Sequence, residues 1–165
     1  MTTSPLPEIR VGLGHDTHRL VEGRPLILAG QWIEHDRGLV GHSDADVVLH
    51  AVTDALLGAV GLGDIGDAYP DTDPAYHGAD SSIFVTRTLE RLTQAGWRPV
   101  NLDVIIFAQD PKLGPHKRVM AQRLAELLGL DPSAVNVKAK TGERVGHIGR
   151  AEAIACQAVV LIRRA

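Results

Sequence analysis

Asp16-Thr17-His18 and, further along, His42-Ser43-Asp44-Ala45-Asp46-Val47-Val48-Leu49-His50 contain the residue types that bind a divalent cation. Asp16 and His18 are expected at the end of an N-terminal strand. Strand residues two apart point to one face, so this carboxylate and imidazole could grip one ion together. His50, on a helix, would close the set and leave a fourth tetrahedral position open. That is the inventory of a catalytic zinc site, because a structural zinc site fills all four positions. His42, Asp46 and His50 fall at i, i+4 and i+8, which predicts all of them on one side of that helix. Singly, each reads as a polar helix face with a satisfied histidine; joined to Asp16-x-His18, the set reads as a metal site. Asp46 and Ser43 are then expected to orient the imidazoles through their second nitrogens.

Positioning these groups falls to alternating strands and helices. Residues 8–13 read as a strand, and Pro25 to Ala29 with Trp32 to His35 as a hairpin turning at Gly30-Gln31. A helix is predicted from about Asp46 to Val60, capped by Ser43 or Asp44, with an apolar face of Val48, Leu49, Val52, Leu56 and Val60. Residues 61–80 are rich in Gly, Pro and Asp, the composition of a lid or binding loop. Asp80-Ser81-Ser82 is expected to cap a second helix running to Ala95 and ended by Gly96. Val100 to Ala108 reads as a strand, and Gly114-Pro115 starts a third helix that stops at Gly129. Asp131-Pro132 turns into a strand from Val135 to Ala139, and a final strand fills about 152–162. With no repeat and no linker, the prediction is a single domain over 1–165 with a flexible N-terminus over 1–8. Its class is α+β, a two-layer sandwich with a mixed β-sheet and helices packed on one face.

The bulk composition narrows the function. At 165 residues and 44% apolar content the chain suits one domain with a proper core. No apolar run approaches the roughly 20 residues of a membrane span, and Met1-Thr2-Thr3-Ser4-Pro5 offers no signal segment. The single cysteine, Cys156, lies in an apolar run as an inert buried thiol, which fits a reducing cytoplasm. A net charge of −3 without a basic stripe, and aromatics at 4%, argue against nucleic acid as a partner.

Several signatures begin and fail. Gly12-Leu13-Gly14 opens like a dinucleotide fingerprint but lacks the third glycine and the following helix. His35-Asp36 would end a hairpin strand rather than sit on the helix that metal phosphohydrolases use, and His15-Asp16-Thr17 lacks the second copy that two-histidine phosphoesterases need. Lys138-Ala139-Lys140-Thr141-Gly142-Glu143-Arg144 leaves a strand into a turn. Its cations, hydroxyl, free N–H groups and carboxylate suit a diphosphate with its own Mg²⁺, or equally a solvated basic turn.

Gly14 to His18, His42 to His50, Asp64-Ile65-Gly66 with Pro70 to Asp73, Lys138 to Glu143 and Gly149 to Glu152 together resemble the 2-C-methyl-D-erythritol 2,4-cyclodiphosphate synthase family of the non-mevalonate isoprenoid pathway. The resemblance runs in order from about Arg10 to Leu161. It implies that the 2-phosphate of a diphosphocytidyl methylerythritol substrate attacks its own β-phosphorus, closing a ring and expelling CMP. It further implies Zn²⁺ on Asp16, His18 and His50, and Mg²⁺ or Mn²⁺ on Glu143 and the substrate phosphates. His42 and Thr141 would stabilise the transition state, and His42 and Ser43 would hold the phosphate end. Asp64, Ile65, Gly66 and Asp71 would lie by the methylerythritol, and Ala108 through Gly114, with Lys112, would form a cytidine pocket. The family is a homotrimer with active sites between subunits. His147, Arg150 and Glu152 match positions at its central channel, where an isoprenoid diphosphate can lodge. Lys140 stands where the family more often has Thr, adding a cation beside the diphosphate turn, while His15 and His147 replace aromatics and make the channel more polar. The competing readings are a metal-dependent nucleotide diphosphate phosphohydrolase and a non-catalytic trimer that binds isoprenoid diphosphate.

Overall fold

The computed structural model describes residues 8–165. The N-terminus expected to be flexible lies outside them, apart from Glu8, whose carboxylate accepts a hydrogen bond from Arg164 at 3.0 Å. In chain order the elements are β1 (Ile9–Glu22), β2 (Leu26–Leu28), β3 (Gln31–Ile33), β4 (Arg37–Leu39), α1 (Val47–Val60), α2 (Ile65–Ala68), α3 (Ser82–Gln94), β5 (Trp97–Phe107), α4 (Lys117–Leu128), β6 (Val135–Lys140), α5 (Gly146–Gly149) and β7 (Ala153–Arg164). Short 3₁₀ turns cover Pro74–Tyr76, Gly114–His116 and Pro132–Ala134.

The main sheet has the order β4-β1-β7-β5-β6. β1 runs antiparallel to β4 and β7, and β5 runs antiparallel to β7 but parallel to β6, so the sheet is mixed as expected. Alternation along the strands decides which face is covered. Leu102, Val104 and Ile106 of β5 and Ile154, Cys156, Ala158, Val160 and Ile162 of β7 are buried under the helices. The intervening residues of β1 look outward: Ile9 is 58% exposed, Val11 63% and Leu13 67%. Helices on one face and an exposed apolar face on the other make the α+β layer arrangement.

β1 continues well beyond the predicted 8–13, because the outward apolar alternation of Ile9, Val11 and Leu13 gives way to the polar His15 and Thr17. The hairpin turns at Ala29-Gly30 rather than Gly30-Gln31, with Leu28 paired to Gln31. Both turn residues take positive φ, 55° and 69°, as the tight two-residue turn of type I′ requires. α1 is buried almost all round rather than along one stripe, since it lies between the sheet and α3. Its cap is Asp46, not Ser43 or Asp44. Oδ1 of Asp46 accepts from the N–H groups of Val48 (3.0 Å) and Leu49 (3.1 Å), satisfying donors that a helix start leaves open. The 61–80 segment is less open than predicted, holding α2 and a 3₁₀ turn.

Gly12 and Gly14, the two glycines of the failed fingerprint, have a packing role. A β-carbon on Gly12 would collide with the Ala55 carbonyl, and one on Gly14 with the Ala51 carbonyl. α1 therefore lies on β1 at a separation that only glycine permits. Gly14→Ala is expected to destabilise the domain by about 3 kcal/mol or more, as overpacking against backbone does, read as a lowered urea midpoint.

Candidate active site

Asp16 and His18 are inward neighbours on β1, and His50 lies on the first turn of α1 facing them. Asp16 Oδ2 is 2.8 Å from His18 Nε2 and 3.0 Å from His50 Nδ1, and those two nitrogens are 3.0 Å apart. The outer sides of both rings fix which nitrogen carries the proton. His18 Nδ1 is 2.6 Å from the Val40 carbonyl, which can only accept, so Nδ1 holds the hydrogen. The Ser81 hydroxyl donates to Asp44 Oδ1, so its oxygen, 2.9 Å from His50 Nε2, accepts from that nitrogen. Ser43 Oγ, 3.1 Å away, backs the same nitrogen.

Both inner nitrogens thus present lone pairs toward one another and toward a carboxylate. Three acceptors about 3 Å apart repel unless a cation sits among them, and ligands around a tetrahedral Zn²⁺ stand roughly 3.3 Å from each other. The donor set therefore fits a divalent metal, with Asp16, His18 and His50 as its ligands. Burial opposes charge on His18, but the hydrogen bond and charge of Asp16 raise its pKa. Burial likewise opposes ionisation of Asp16, yet His18 and His50 hold its carboxyl well below the usual range. Metal and proton compete for one position.

Asp46 takes a different place from the one predicted. It caps α1 from outside the helix, so His42 and Asp46 do not share a helical face with His50. Its carboxylate touches neither imidazole. Oδ1 accepts from Ala29 N–H (3.0 Å) and Oδ2 from Gly30 N–H (2.6 Å), tying the β2–β3 turn to the start of α1. Full burial pushes the Asp46 carboxyl up to about 6, against the pull of those N–H groups. The residues that orient His50 are Ser43, as expected, and Ser81 with Asp44, which were read as helix caps. Hydroxyl and carboxylate side chains serve both purposes, so residue type alone did not separate them.

The triad opens into a cavity of about 440 Å³ whose lining includes His42, Ser43, Ile65, Gly66 and Asp71, all predicted, and also Tyr69, Tyr76 and Phe84, which were not. Asp64 caps α2 by accepting from Asp67 N–H at 2.9 Å and stands beside this lining. Asp54, one turn beyond His50, accepts from Ile65 N–H at 2.8 Å and pins the same segment; burial raises its pKa. A second cavity of about 250 Å³ gathers Ala108, Lys112 and Thr141 with Pro111, Leu113 and Lys140. Thr141 Oγ1 donates to Glu143 at 2.5 Å on its edge. Lys138 of the basic turn is paired with Asp103. His147 lies in α5 and Arg150 just after it, joined to Glu152 by bonds of 2.8 and 3.0 Å and lining neither cavity.

The arrangement is an α+β domain with a side-chain triad compatible with a divalent metal and two separate clefts. The YgbB family model matches residues 9–163, and the chain belongs to that family. It is 59% identical over 156 residues to the 2-C-methyl-D-erythritol 2,4-cyclodiphosphate synthase of Bordetella pertussis, covering 94% of this chain and 96% of that one. Among solved structures it matches the bifunctional IspDF from Campylobacter jejuni at a TM-score of 0.93 and 43% identity, over 98% of this chain and 44% of that longer one. It also matches a CDP-bound 2C-methyl-D-erythritol-2,4-cyclodiphosphate synthase at 0.86 and 38%, over 93% of this chain and 99% of that one. No helix among the described residues is long and apolar enough to cross a membrane.

The hydroxyl relay to His50 makes a test of the metal reading. Ser81→Ala should lower Zn²⁺ affinity by about 10–100-fold, as loss of a ligand's supporting partner does, measured by competition with a chromophoric chelator.

Proposed function

We propose that this chain is a CMP-releasing lyase of isoprenoid biosynthesis. It converts 4-diphosphocytidyl-2-C-methyl-D-erythritol 2-phosphate to 2-C-methyl-D-erythritol 2,4-cyclodiphosphate. An oxygen of the 2-phosphate bonds to the β-phosphorus, the bond from that phosphorus to the α-phosphate oxygen breaks, and CMP departs with the electron pair. The observation that carries this reading is the convergence of two imidazole nitrogens and a carboxylate on one point beside a cleft of about 440 Å³. The strong likeness to proteins named for the reaction supports it.

Zn²⁺ on the triad would draw charge from a β-phosphate oxygen, and Mg²⁺ or Mn²⁺ on the diphosphate and Glu143 would neutralise the departing CMP. The side chains mainly align the phosphates in line and keep water away from the phosphorus. His42 lines the cleft with Nε2 3.3 Å from the Asp73 carbonyl; on releasing that carbonyl the N–H would be free for a phosphate oxygen, and Ser43 would offer its hydroxyl beside it. Ile65, Gly66 and Asp71, with Asp64 beside them, would enclose the methylerythritol. Thr141 would offer its hydroxyl to the diphosphate, and exposed Lys140 would strengthen that hold. Ala108 and Lys112 belong to the cytidine side.

The two cavities have no residue in common, and β1 and β6 stand three positions apart in the sheet, about 14 Å. Within one chain the metal side and the nucleotide side are separate. A homotrimer that packs the exposed faces of β1 and β7 together would bring the metal side of one subunit to the nucleotide side of the next. His15 and His147, with the Arg150–Glu152 pair, would then border a central channel open to an isoprenoid diphosphate.

Phosphorus-31 NMR of the metal-loaded protein with the substrate should show CMP and a cyclic diphosphate appearing together. CMP with only open-chain phosphates would make water the nucleophile and the protein a hydrolase. Leu13→Asp, which puts charge on the outer face of β1, should yield a monomer in sedimentation analysis. That monomer should bind one Zn²⁺ yet form no cyclic product.

A further inference from the structure

The segment walling the nucleotide-side cavity is held almost entirely by side chains. Ala108 N–H donates to the Lys140 carbonyl at 2.9 Å, and His116 N–H to that of Leu113 at 3.0 Å. Between these points, among the described residues, Gln109, Asp110, Pro111 and Lys112 enter no main-chain to main-chain hydrogen bond. Free amide and carbonyl groups are what a pocket needs to read the polar edge of a base, but a segment so untied costs entropy to hold in one shape. Some other contact must set it.

That contact is supplied by the first residue of β4 and the connection before it. Arg37 Nη2 donates to Asp110 Oδ2 at 3.4 Å, while Arg37 Nη1 donates to the Ala151 carbonyl at 2.8 Å. One guanidinium thus joins the nucleotide segment to the chain just beyond α5. His35 adds to it. Its side chain is only 11% exposed and lies with Nδ1 3.4 Å from Asp36 and Nε2 3.6 Å from the same Asp110 oxygen. Nε2 of His35 is a buried polar atom without a hydrogen-bond partner among the described residues. A buried nitrogen left unpaired is costly. Asp110, half exposed at 51%, can satisfy it by moving a few tenths of an ångström inward.

We propose that His35 and Arg37 are positioning residues for nucleotide binding, acting through Asp110 to set the adjoining Pro111 and Lys112, which wall the cytidine cavity. The proposal rests on the reading of that cavity given above. Filling it with a nucleotide draws Asp110 onto both side chains and fixes the free amides around the base. The phosphate-binding triad is served by β1 and α1 and has no part in this latch.

The test compares CDP with inorganic diphosphate as ligands of the metal-loaded wild type and of Arg37→Ala, Asp110→Ala, the double variant and His35→Gln. Each single alanine variant should weaken CDP binding by about 2–5-fold, the scale of one partly exposed charged pair. The double variant should be no weaker than either single one, inorganic diphosphate should bind as to wild type, and Zn²⁺ content should be unchanged. In turnover the loss should appear in KM, with kcat within about twofold. His35→Gln, which keeps a donor near Asp110, should lose less than either alanine variant. Wild-type CDP affinity in the variants overturns the latch alone. Equal loss of CDP, diphosphate and Zn²⁺ also overturns it, by showing a general structural defect. A wild type that binds diphosphate but not CDP overturns the reading of the cavity and the latch with it.

Discussion

The close contact of α1 with β1 is the constraint on which the site depends. Asp16 and His18 can meet His50 only if a helix backbone comes down onto a strand backbone, and side chains normally hold the two apart. Gly12 and Gly14 remove the obstacle directly beneath Ala55 and Ala51. Asp46 then fixes the helix along its own axis by capping it and holding the β2–β3 turn with the same carboxylate. Translation and approach are thus set by separate groups.

The second constraint is the placement of protons. A carbonyl behind His18 and a hydroxyl committed to Asp44 behind His50 leave each ring a single arrangement of its hydrogen. The protein thereby gives up favourable pairing inside the triad and keeps an electron-rich point partly open to the cleft. Such a point selects for a cation, and a proton is the nearest substitute, as the raised His18 pKa reflects. The second cavity follows the opposite plan: main-chain groups of residues 109–112 are left free of main-chain partners, and Arg37 reaches Asp110 from β4.

Local signals revealed the parts of this structure whose causes are local. α4 ends at Gly129 in the left-handed conformation, and Asp131-Pro132 leads into β6, as read from residue type. The metal triad was equally legible, since strand spacing alone puts Asp16 and His18 on one face. The full length of β1 was hidden because its outward apolar alternation stops at Leu13, with polar His15 and Thr17 in the next outward positions. The position of Asp46 was hidden because an i, i+4, i+8 pattern fits a helix, and nothing nearby reveals a turn that has folded back from residues 29–30. Ser81 does occupy the N-cap position of α3, but its side chain turns to Asp44 and His50, a second use that residue type alone does not reveal. The Arg37–Asp110 contact joins positions 73 apart, and no periodicity reaches that far.

The cleft wall also determines how the molecule interacts with light. The chain has two tyrosines, Tyr69 and Tyr76, and both line the metal-side cavity. Their rings meet edge to face at 5.7 Å and pack on Phe84 at 5.0 and 5.4 Å. Of the two tryptophans, Trp32 projects from the β2–β3 hairpin and Trp97 is held between Arg10 and Arg164 at 4.3 and 4.5 Å. The phenol chromophores are therefore confined to the rim of the reaction chamber, and the indoles lie outside its lining. Ultraviolet resonance Raman bands of the phenol rings, separable from those of indole, thus form an intrinsic optical report on that rim, with no label to introduce.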